Sequence, residues 1–376
     1  MQYRTLCGEE VSALGFGCMR LPIMDGKHDQ IDAGTAIGLI HHALERGVNY
    51  LDSAWGYHGG NSEPLVGRAI EGIRDEVFIA TKLPPWSVET LEDCERILDE
   101  QLKRLRTDHI DFYMLHSLIG PSWQRLHGLG VLGFLERALE DGRIRHAGFS
   151  FHDHVDCFKE IVDAWDWDFC QIQYNYMDER VQAGTEGMHY AAERGIGIVV
   201  MEPLRGGTLG EPLPEELEAK RQERGVEWSP AQLGLRWVFD QPEPAVTLSG
   251  MNRMDHLQEN IAVAAATAPG AMTPEEHELI AGIQAHYREK MLVDCTACRY
   301  CMPCPQGVNI PRVFYLYNDM SMFNAQRARM GYQKMTNPDE WASHCVECGL
   351  CEERCPQNIP IIEKLAAAHE ALTAED

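Results

Sequence analysis

Two groups of cysteines near the end of the 376-residue chain have the spacing of metal ligands. Cys295, Cys298, Cys301 and Cys304 precede Pro305, and Cys345, Cys348, Cys351 and Cys355 precede Pro356. The second group keeps the run C-x2-C-x2-C-x3-C-P, in which three closely spaced thiolates grip one iron–sulfur cluster and the fourth reaches across to another. Crossed ligation would put Cys295, Cys298, Cys301 and Cys355 on one 4Fe-4S cluster and Cys345, Cys348, Cys351 and Cys304 on a second. The first group is one residue short of that run, with only Met302 and Pro303 between its last two cysteines. Structural zinc is the alternative for C-x-x-C thiolates. Three cysteines at spacing three followed by a Cys-Pro, twice over, favour two iron–sulfur clusters. Cys7, Cys18, Cys94, Cys157 and Cys170 are scattered singly and read as small buried hydrophobes.

Four polar residues earlier in the chain suggest a different chemistry. Asp52, Lys82 and His116 each follow or end a short apolar run, and Tyr57 lies just beyond the first of these. Taken singly, they read as a cap, an exposed charge, a hydrogen-bonded core histidine and loop packing. Together they hold the parts of a carbonyl-reducing site. Hydride addition to a carbonyl leaves an alkoxide that needs a proton, and a phenol with a pKa of about 10 gives one up readily only if its phenolate is stabilised. An ammonium at Lys82 would stabilise that phenolate and lower the Tyr57 pKa, Asp52 would keep Lys82 charged, and His116 would donate to the substrate oxygen.

The elements that must position these residues are legible in the hydrophobic pattern. Short apolar runs at 14–17, 50–52, 77–81, 110–115, 144–150, 169–174, 197–201 and 245–249 alternate with amphipathic stretches such as 35–46, 88–106, 134–141, 186–194 and 230–239. Unbroken βα repeats of this kind predict an α/β fold, a (β/α)8 TIM barrel, whose catalytic face lies at the strand C-terminal ends. No G-x-G-x-x-G follows the first strand, which disfavours a dinucleotide-binding open sheet. Residues 2–5 and 10–13 read as a hairpin plugging the barrel bottom. Long loops are expected at 117–130 and 205–229, the second carrying a solvated charged helix over 215–224. Trp55, His58 and Trp123 are candidates to line the pocket.

Composition narrows the partners. With 33 Lys and Arg against 58 Asp and Glu, the formal charge is -25, which repels phosphate backbones and argues against nucleic acid. No apolar run approaches the roughly 20 residues of a membrane helix. The opening MQYRTLCGEE lacks the charged and apolar regions of an export signal, so a cytoplasmic location is expected.

At residues 51–67 (LDSAWGYHGGNSEPLVG), 81–84 (TKLP) and 111–117 (DFYMLHS), the sequence resembles the aldo-keto reductase family in the order and spacing of its catalytic blocks. The resemblance covers roughly residues 1–265. It implies a catalytic tetrad of Asp52, Tyr57, Lys82 and His116, with Tyr57 as general acid/base. It also implies nicotinamide-cofactor contacts from Ser150 (GFSFH, 148–152), Gln171 (CQIQYN, 170–175), and Met201, Pro203 and Leu204 (VMEPLRGG, 200–207). Arg253, Glu259 and Asn260 would follow from LSGMNRMDHLQEN (248–260). Phe151 and Met201 depart from the family's usual amide and tyrosine, and Gly250 and His256 replace its usual phosphate-binding cations. Both NADP(H) and NAD(H) are therefore carried forward.

The whole chain is similar to a prokaryotic subgroup in which such a barrel, here 1–270, is fused to a small, mostly α-helical ferredoxin-type domain, here 271–376. Two functions follow. In one, the barrel is a nicotinamide-dependent carbonyl reductase or alcohol dehydrogenase carrying two 4Fe-4S clusters. In the alternative, the clusters relay electrons between a redox protein partner and a small-molecule substrate in the barrel, with little or no nicotinamide used.

Overall fold

The computed structural model describes residues 1–295, 297, 299–355 and 357–374. Its chain begins with a hairpin of β1 (Tyr3–Leu6) and β2 (Glu9–Ser12), joined through Cys7 and Gly8, both with positive φ. That backbone twist matches the two-residue turns that favour hairpins. Eight further strands close into a parallel barrel: β3 (Leu14–Gly17), β4 (Tyr50–Asp52), β5 (Phe78–Leu83), β6 (Ile110–Leu118), β7 (Ile144–Phe151), β8 (Phe169–Gln173), β9 (Gly197–Met201) and β10 (Pro244–Ser249). β10 pairs with β3 to complete the ring. Both faces of these strands are covered, so they read as near-continuous apolar runs rather than alternating ones. Leu6 and Val11 of the hairpin pack with Tyr50, Phe112, Phe169 and Val246 inside the barrel, which explains the hairpin's apolar positions.

Caps and amphipathic stripes set the surrounding helices. Thr90 and Asp93 form a capping box at the start of helix Leu91–Leu105, whose Cys94, Ile97, Leu98, Gln101 and Leu105 lie on one buried face. Ser229 and Gln232 do the same for helix Pro230–Phe239.

The expected loop after strand β6 is instead mostly helix. β6 continues to Leu118, helix Gly120–Leu129 follows, and Gly130 at φ 84° turns the chain into helix Val131–Glu140. Burial of Trp123 and Leu126 outweighs the glycines that made this stretch look irregular. After β9, a short turn Arg205–Gly210 precedes helix Glu215–Glu223, where a charged helix was expected.

By internal contacts the chain divides into two compact units, Met1–Pro212 with Trp228–Thr273, and Leu213–Glu227 with the chain from Pro274 onward. The second unit holds helices Pro274–Arg288, Ile310–Met322, Ala325–Met330 and Ile361–Thr373. Its core gathers Val308, Val313, Phe314, Tyr332 and Leu365. Helix is expected through 311–329, but the chain breaks at Phe323, and Asn324 caps the next helix by accepting from the Arg327 N–H. The Asn318 side chain accepts from the Leu292 and Val293 N–H groups and donates to the Val293 carbonyl at 2.7 Å, fixing the chain as it enters the first cysteine group. Among the described residues no helix is long and apolar enough to cross a membrane.

Gly67, in helix Ser62–Ala69, marks the tightest helix contact near the candidate site. A Cβ there would stand 2.5 Å from the Arg104 carbonyl oxygen and 2.7 Å from the Leu105 carbonyl carbon, both backbone atoms that cannot swing aside. Gly67→Ala should lower unfolding stability by about 1–3 kcal/mol; urea denaturation will read this, and an unchanged midpoint would mean the helix moves freely.

Candidate active site and cysteine cavities

Register brings the polar residues together. Asp52 on β4 is level with Ala80 on β5, and Lys82 on β5 is level with Met114 on β6. Lys82 is two residues beyond Ala80, and His116 two beyond Met114. Because strand side chains alternate with a period of two, Asp52, Lys82 and His116 share one face and climb the staggered barrel toward its C-terminal end.

Lys82 is fully buried, and its Nζ donates to Asp52 Oδ2 at 2.6 Å and to the Ser53 carbonyl at 2.7 Å. Its Nζ also lies 5.1 Å from the Tyr57 ring centre, so the ammonium and the phenol interact electrostatically. Burial, the largest single influence, lowers the Lys82 pKa, but Asp52 and Tyr57 together outweigh it and hold the ammonium above its ordinary value. Burial also pushes the Tyr57 phenol up; Lys82 pulls it down as its charge predicts, yet the net shift is upward. The phenol expected to be lowered is thus raised, because desolvation of the phenolate exceeds the pull of Lys82. The His116 ring stands edge-on to Tyr57, with centres 6.0 Å apart. Burial first, then Lys82 and His152, drive His116 well below its ordinary value, so the imidazole is neutral and one ring nitrogen can donate without net charge.

These groups open on a cavity of about 470 Å³ at the strand ends. Asp52, Tyr57 and His116 line it, while Lys82 lies behind them. Ser150, Gln171, Met201, Pro203 and Leu204 line the same cavity. Gln171 donates to Met201 Sδ at 3.4 Å, leaving its buried Oε1 with no hydrogen-bond partner among the described residues; His116 Nδ1 is likewise unpaired. Ser150 Oγ accepts from the Ser117 N–H at 2.6 Å.

Arg253, Glu259 and Asn260 do not line this cavity. Arg253 is exposed and paired with Asp255 at 2.5 Å, Glu259 accepts from Ser229 Oγ, and buried Asn260 donates to Ser249 Oγ. The three aromatic candidates are also corrected. Trp55 lies under the Arg104 guanidinium at 3.7 Å, Trp123 packs on His127 and Trp167, and buried His58 is held between the Leu21 N–H and the His28 carbonyl. The tryptophan on the cavity wall is Trp86, 63% exposed, with its ring 5.1 Å from that of His116. Its position a few residues past Lys82 was the available signal. Arg20 and His152 also line the cavity without being anticipated.

In the second unit the cysteines ring two cavities. Cys304, Cys345, Cys348 and Cys351 line one of about 240 Å³; Cys295, Cys301 and Cys355 line another of about 20 Å³, and Cys301 borders both. Cys298 lies outside the described residues. No three Cys, His, Asp or Glu side chains among the described residues gather closely enough to hold a single metal ion.

Comparison with known proteins places this geometry. The profile of the Aldo/keto reductase family matches residues 13–281. The chain belongs to the aldo/keto reductase family. A 4Fe-4S dicluster domain matches residues 294–360, so this oxidoreductase carries an iron–sulfur domain after its barrel. The reductase is 26% identical over 309 residues to the uncharacterized oxidoreductase YqkF of Bacillus subtilis, covering 74% of this chain and 94% of that protein. It is 27% identical over 296 residues to the aldo-keto reductase yakc [NADP(+)] of Schizosaccharomyces pombe, covering 68% of this chain and 85% of that one. Among solved structures, the holo form of an aldo-keto reductase from Bacillus halodurans matches with a TM-score of 0.63 at 28% identity, covering 75% of this chain and 96% of that chain.

A buried hub holds the reductase's lysine strand in place. Glu63 accepts from Thr81 Oγ1 and Gln101 Nε2, each at 2.7 Å, and from Arg104 at 3.2 Å. Gln101 also donates to the Lys82 carbonyl at 3.0 Å and accepts from Tyr113 Oη at 2.9 Å. The residues flanking Lys82 are therefore tied to two helices before its side chain meets Asp52. Lys82→Met should destabilise the fold by roughly 3–5 kcal/mol, because Asp52 is left as a lone buried charge. Adding Asp52→Asn should restore part of that loss. Chemical denaturation decides the matter, and a double variant no more stable than the single one would argue against a charged pair.

Proposed function

We propose that the reductase interconverts a small carbonyl compound and its alcohol, with Tyr57 as general acid/base and a nicotinamide dinucleotide as hydride carrier. The observation that carries this reading is the buried Asp52–Lys82 pair set beside Tyr57 and opposed by a neutral His116 across one cavity. A bound nicotinamide would supply the hydride. The unpaired Gln171 Oε1 and the Ser150 hydroxyl suit a carboxamide's donor and acceptor, and Met201, Pro203 and Leu204 offer an apolar wall. The NADP(+) in the yakc name supports the phosphorylated form.

His116 directs the substrate oxygen by donating a hydrogen bond toward it. Tyr57 gives its proton to that oxygen as negative charge develops there. The resulting phenolate stays beside the Lys82 ammonium, which Asp52 keeps protonated. In the oxidative direction, the same phenolate takes the proton back from the alcohol.

The C-terminal residues, from about 271 onward, are proposed to hold two 4Fe-4S clusters with crossed ligands. Cys304, Cys345, Cys348 and Cys351 would hold one, and Cys295, Cys301 and Cys355 with Cys298 the other. Supporting this, each cavity draws cysteines from both ends of the domain. The smaller cavity has room for about one water, so the loop carrying Cys295 and Cys301 would have to yield on loading. Clusters bound there would supply one-electron transfer, and a redox protein is the fitting partner. A cytoplasmic setting, where thiols stay reduced, suits such ligands.

Anaerobically reconstituted protein titrated with NADPH and NADH tests the reading. Nucleotide binding with carbonyl turnover that survives cluster removal is expected; clusters reoxidised by substrate without any nucleotide binding would overturn it in favour of an electron relay. Tyr57→Phe should cut turnover about 10²–10⁴-fold while leaving nucleotide binding intact. Because Tyr57 must keep its proton to reduce and its pKa lies above the ordinary value, the reductive rate should stay level through neutral pH and fall only on the strongly alkaline side. Neutral His116 should add no inflection near neutrality in the kcat/KM profile. Finally, Cys304→Ala should remove about half of the bound iron and sulfide, read by elemental analysis.

A further inference from the structure

The geometry points to Arg20 as a phosphate-binding residue for the dinucleotide, seated at the mouth of the barrel cavity by Gly250. Among the described residues, Arg20 is the only lysine or arginine lining that cavity. It ends the short turn Cys18–Arg20 after β3, and its side chain is exposed. Its single polar partner among the described residues is the Gly206 carbonyl, which accepts from Nη1 at 2.8 Å. A guanidinium has five N–H donors, so most remain free at the rim. The two carboxylates lining the cavity leave it unpaired: Asp52 is bound to Lys82, and no ion pair joins Arg20 to Glu202. An unpaired arginine at the mouth of a cavity in a chain of charge -25 is a local attraction for an anion.

Two neighbouring glycine sites suit this role. A Cβ on Gly250 would stand 3.1 Å from Arg20 Cβ, 3.3 Å from Cδ and 3.4 Å from Cγ, so the missing side chain is what lets the arginine stem lie across the end of β10. On the far side, Gly206 and Gly207 adopt φ of 69° and 102°, turning the chain after β9 so that the Gly206 carbonyl meets the guanidinium. Arg20 thus spans the mouth from β3 to the β9 loop with its remaining donors uncommitted. Fork-shaped donors of this kind match phosphate oxygens, and phosphates are the anionic part of a nicotinamide dinucleotide. The inference rests on the nicotinamide reading above. The pyrophosphate and the 2'-phosphate share this chemistry, and NADH, which lacks the 2'-phosphate, separates them.

The full-length holoprotein and its Arg20→Gln and Arg20→Lys variants should be titrated with NADPH and with NADH at two salt concentrations. Arg20→Gln should raise Kd about tenfold or more, flatten its salt dependence, and leave Tm unchanged. Arg20→Lys should fall between, keeping the charge but losing the fork. An equal loss for both nucleotides assigns the pyrophosphate, and a loss for NADPH alone assigns the 2'-phosphate. Gly250→Ala should weaken binding in the parent protein and add nothing in the Arg20→Gln background, because it acts through Arg20. A Kd within twofold of the parent for both nucleotides in Arg20→Gln would overturn the assignment while leaving the nicotinamide reading standing. If the parent protein binds neither nucleotide, the two fall together.

Discussion

The reductase barrel depends on the lysine ammonium kept out of water at its centre. Taking Lys82 and Asp52 from solvent costs several kcal/mol per ion, and good geometry must recover it. Nζ donates to Asp52 and to the Ser53 carbonyl and lies beside the Tyr57 ring, so the ammonium is held by two acceptors and faces the phenol. Displacing either acceptor would leave a buried polar group unmet. The ends of β4 and β5 are thereby locked to one another, with the Tyr57 ring beside the pair.

That lock also sets the electrostatics of its surroundings. The same burial that makes the pair strong raises the Tyr57 phenol and, with Lys82, lowers the His116 imidazole. The cavity therefore presents two neutral hydrogen-bond donors backed by one concealed positive charge. Such an arrangement favours an oxygen that gains negative charge during reaction over one that already bears it. The Glu63–Gln101 hub shows the same logic one layer out, with a buried carboxylate fully satisfied by Thr81, Gln101 and Arg104.

Much of this was legible in the sequence because barrel strands are buried on both faces. All eight barrel strands fall where the apolar runs lie, with ends differing by a few residues at most, since a strand covered on both faces needs such a run and a polar residue at its end stands out. Gly120, Pro121, Gly128 and Gly130 concealed helix Gly120–Leu129, where tertiary burial of Trp123 overrides local propensity. Composition could suggest that an aromatic lines the cavity, but the choice of Trp86 over Trp55 or Trp123 depends on loop paths that no periodicity encodes. Arg20 carried no spacing signal, and Arg253 looked more telling until its pairing with Asp255 was visible. Cysteine spacing carries more information because metal ligation constrains sequence directly. Cys304 lines one cavity with Cys345, Cys348 and Cys351, and Cys301 lines it too.

The two cysteine cavities also bear on how the C-terminal domain is tied. Cys301 and Cys304 line one cavity with Cys345, Cys348 and Cys351, and Cys295 and Cys301 line the other with Cys355, so each cavity is walled by cysteines from before and after the helical spacer. Anything bound across either cavity closes the same long loop, with Val308, Val313, Phe314 and Tyr332 enclosed between the two closures. A flexible loop that is already closed costs little more to close again. The spacer is laced like a boot: the first lace carries most of the entropic cost, and either one restrains the fold against fraying from both ends.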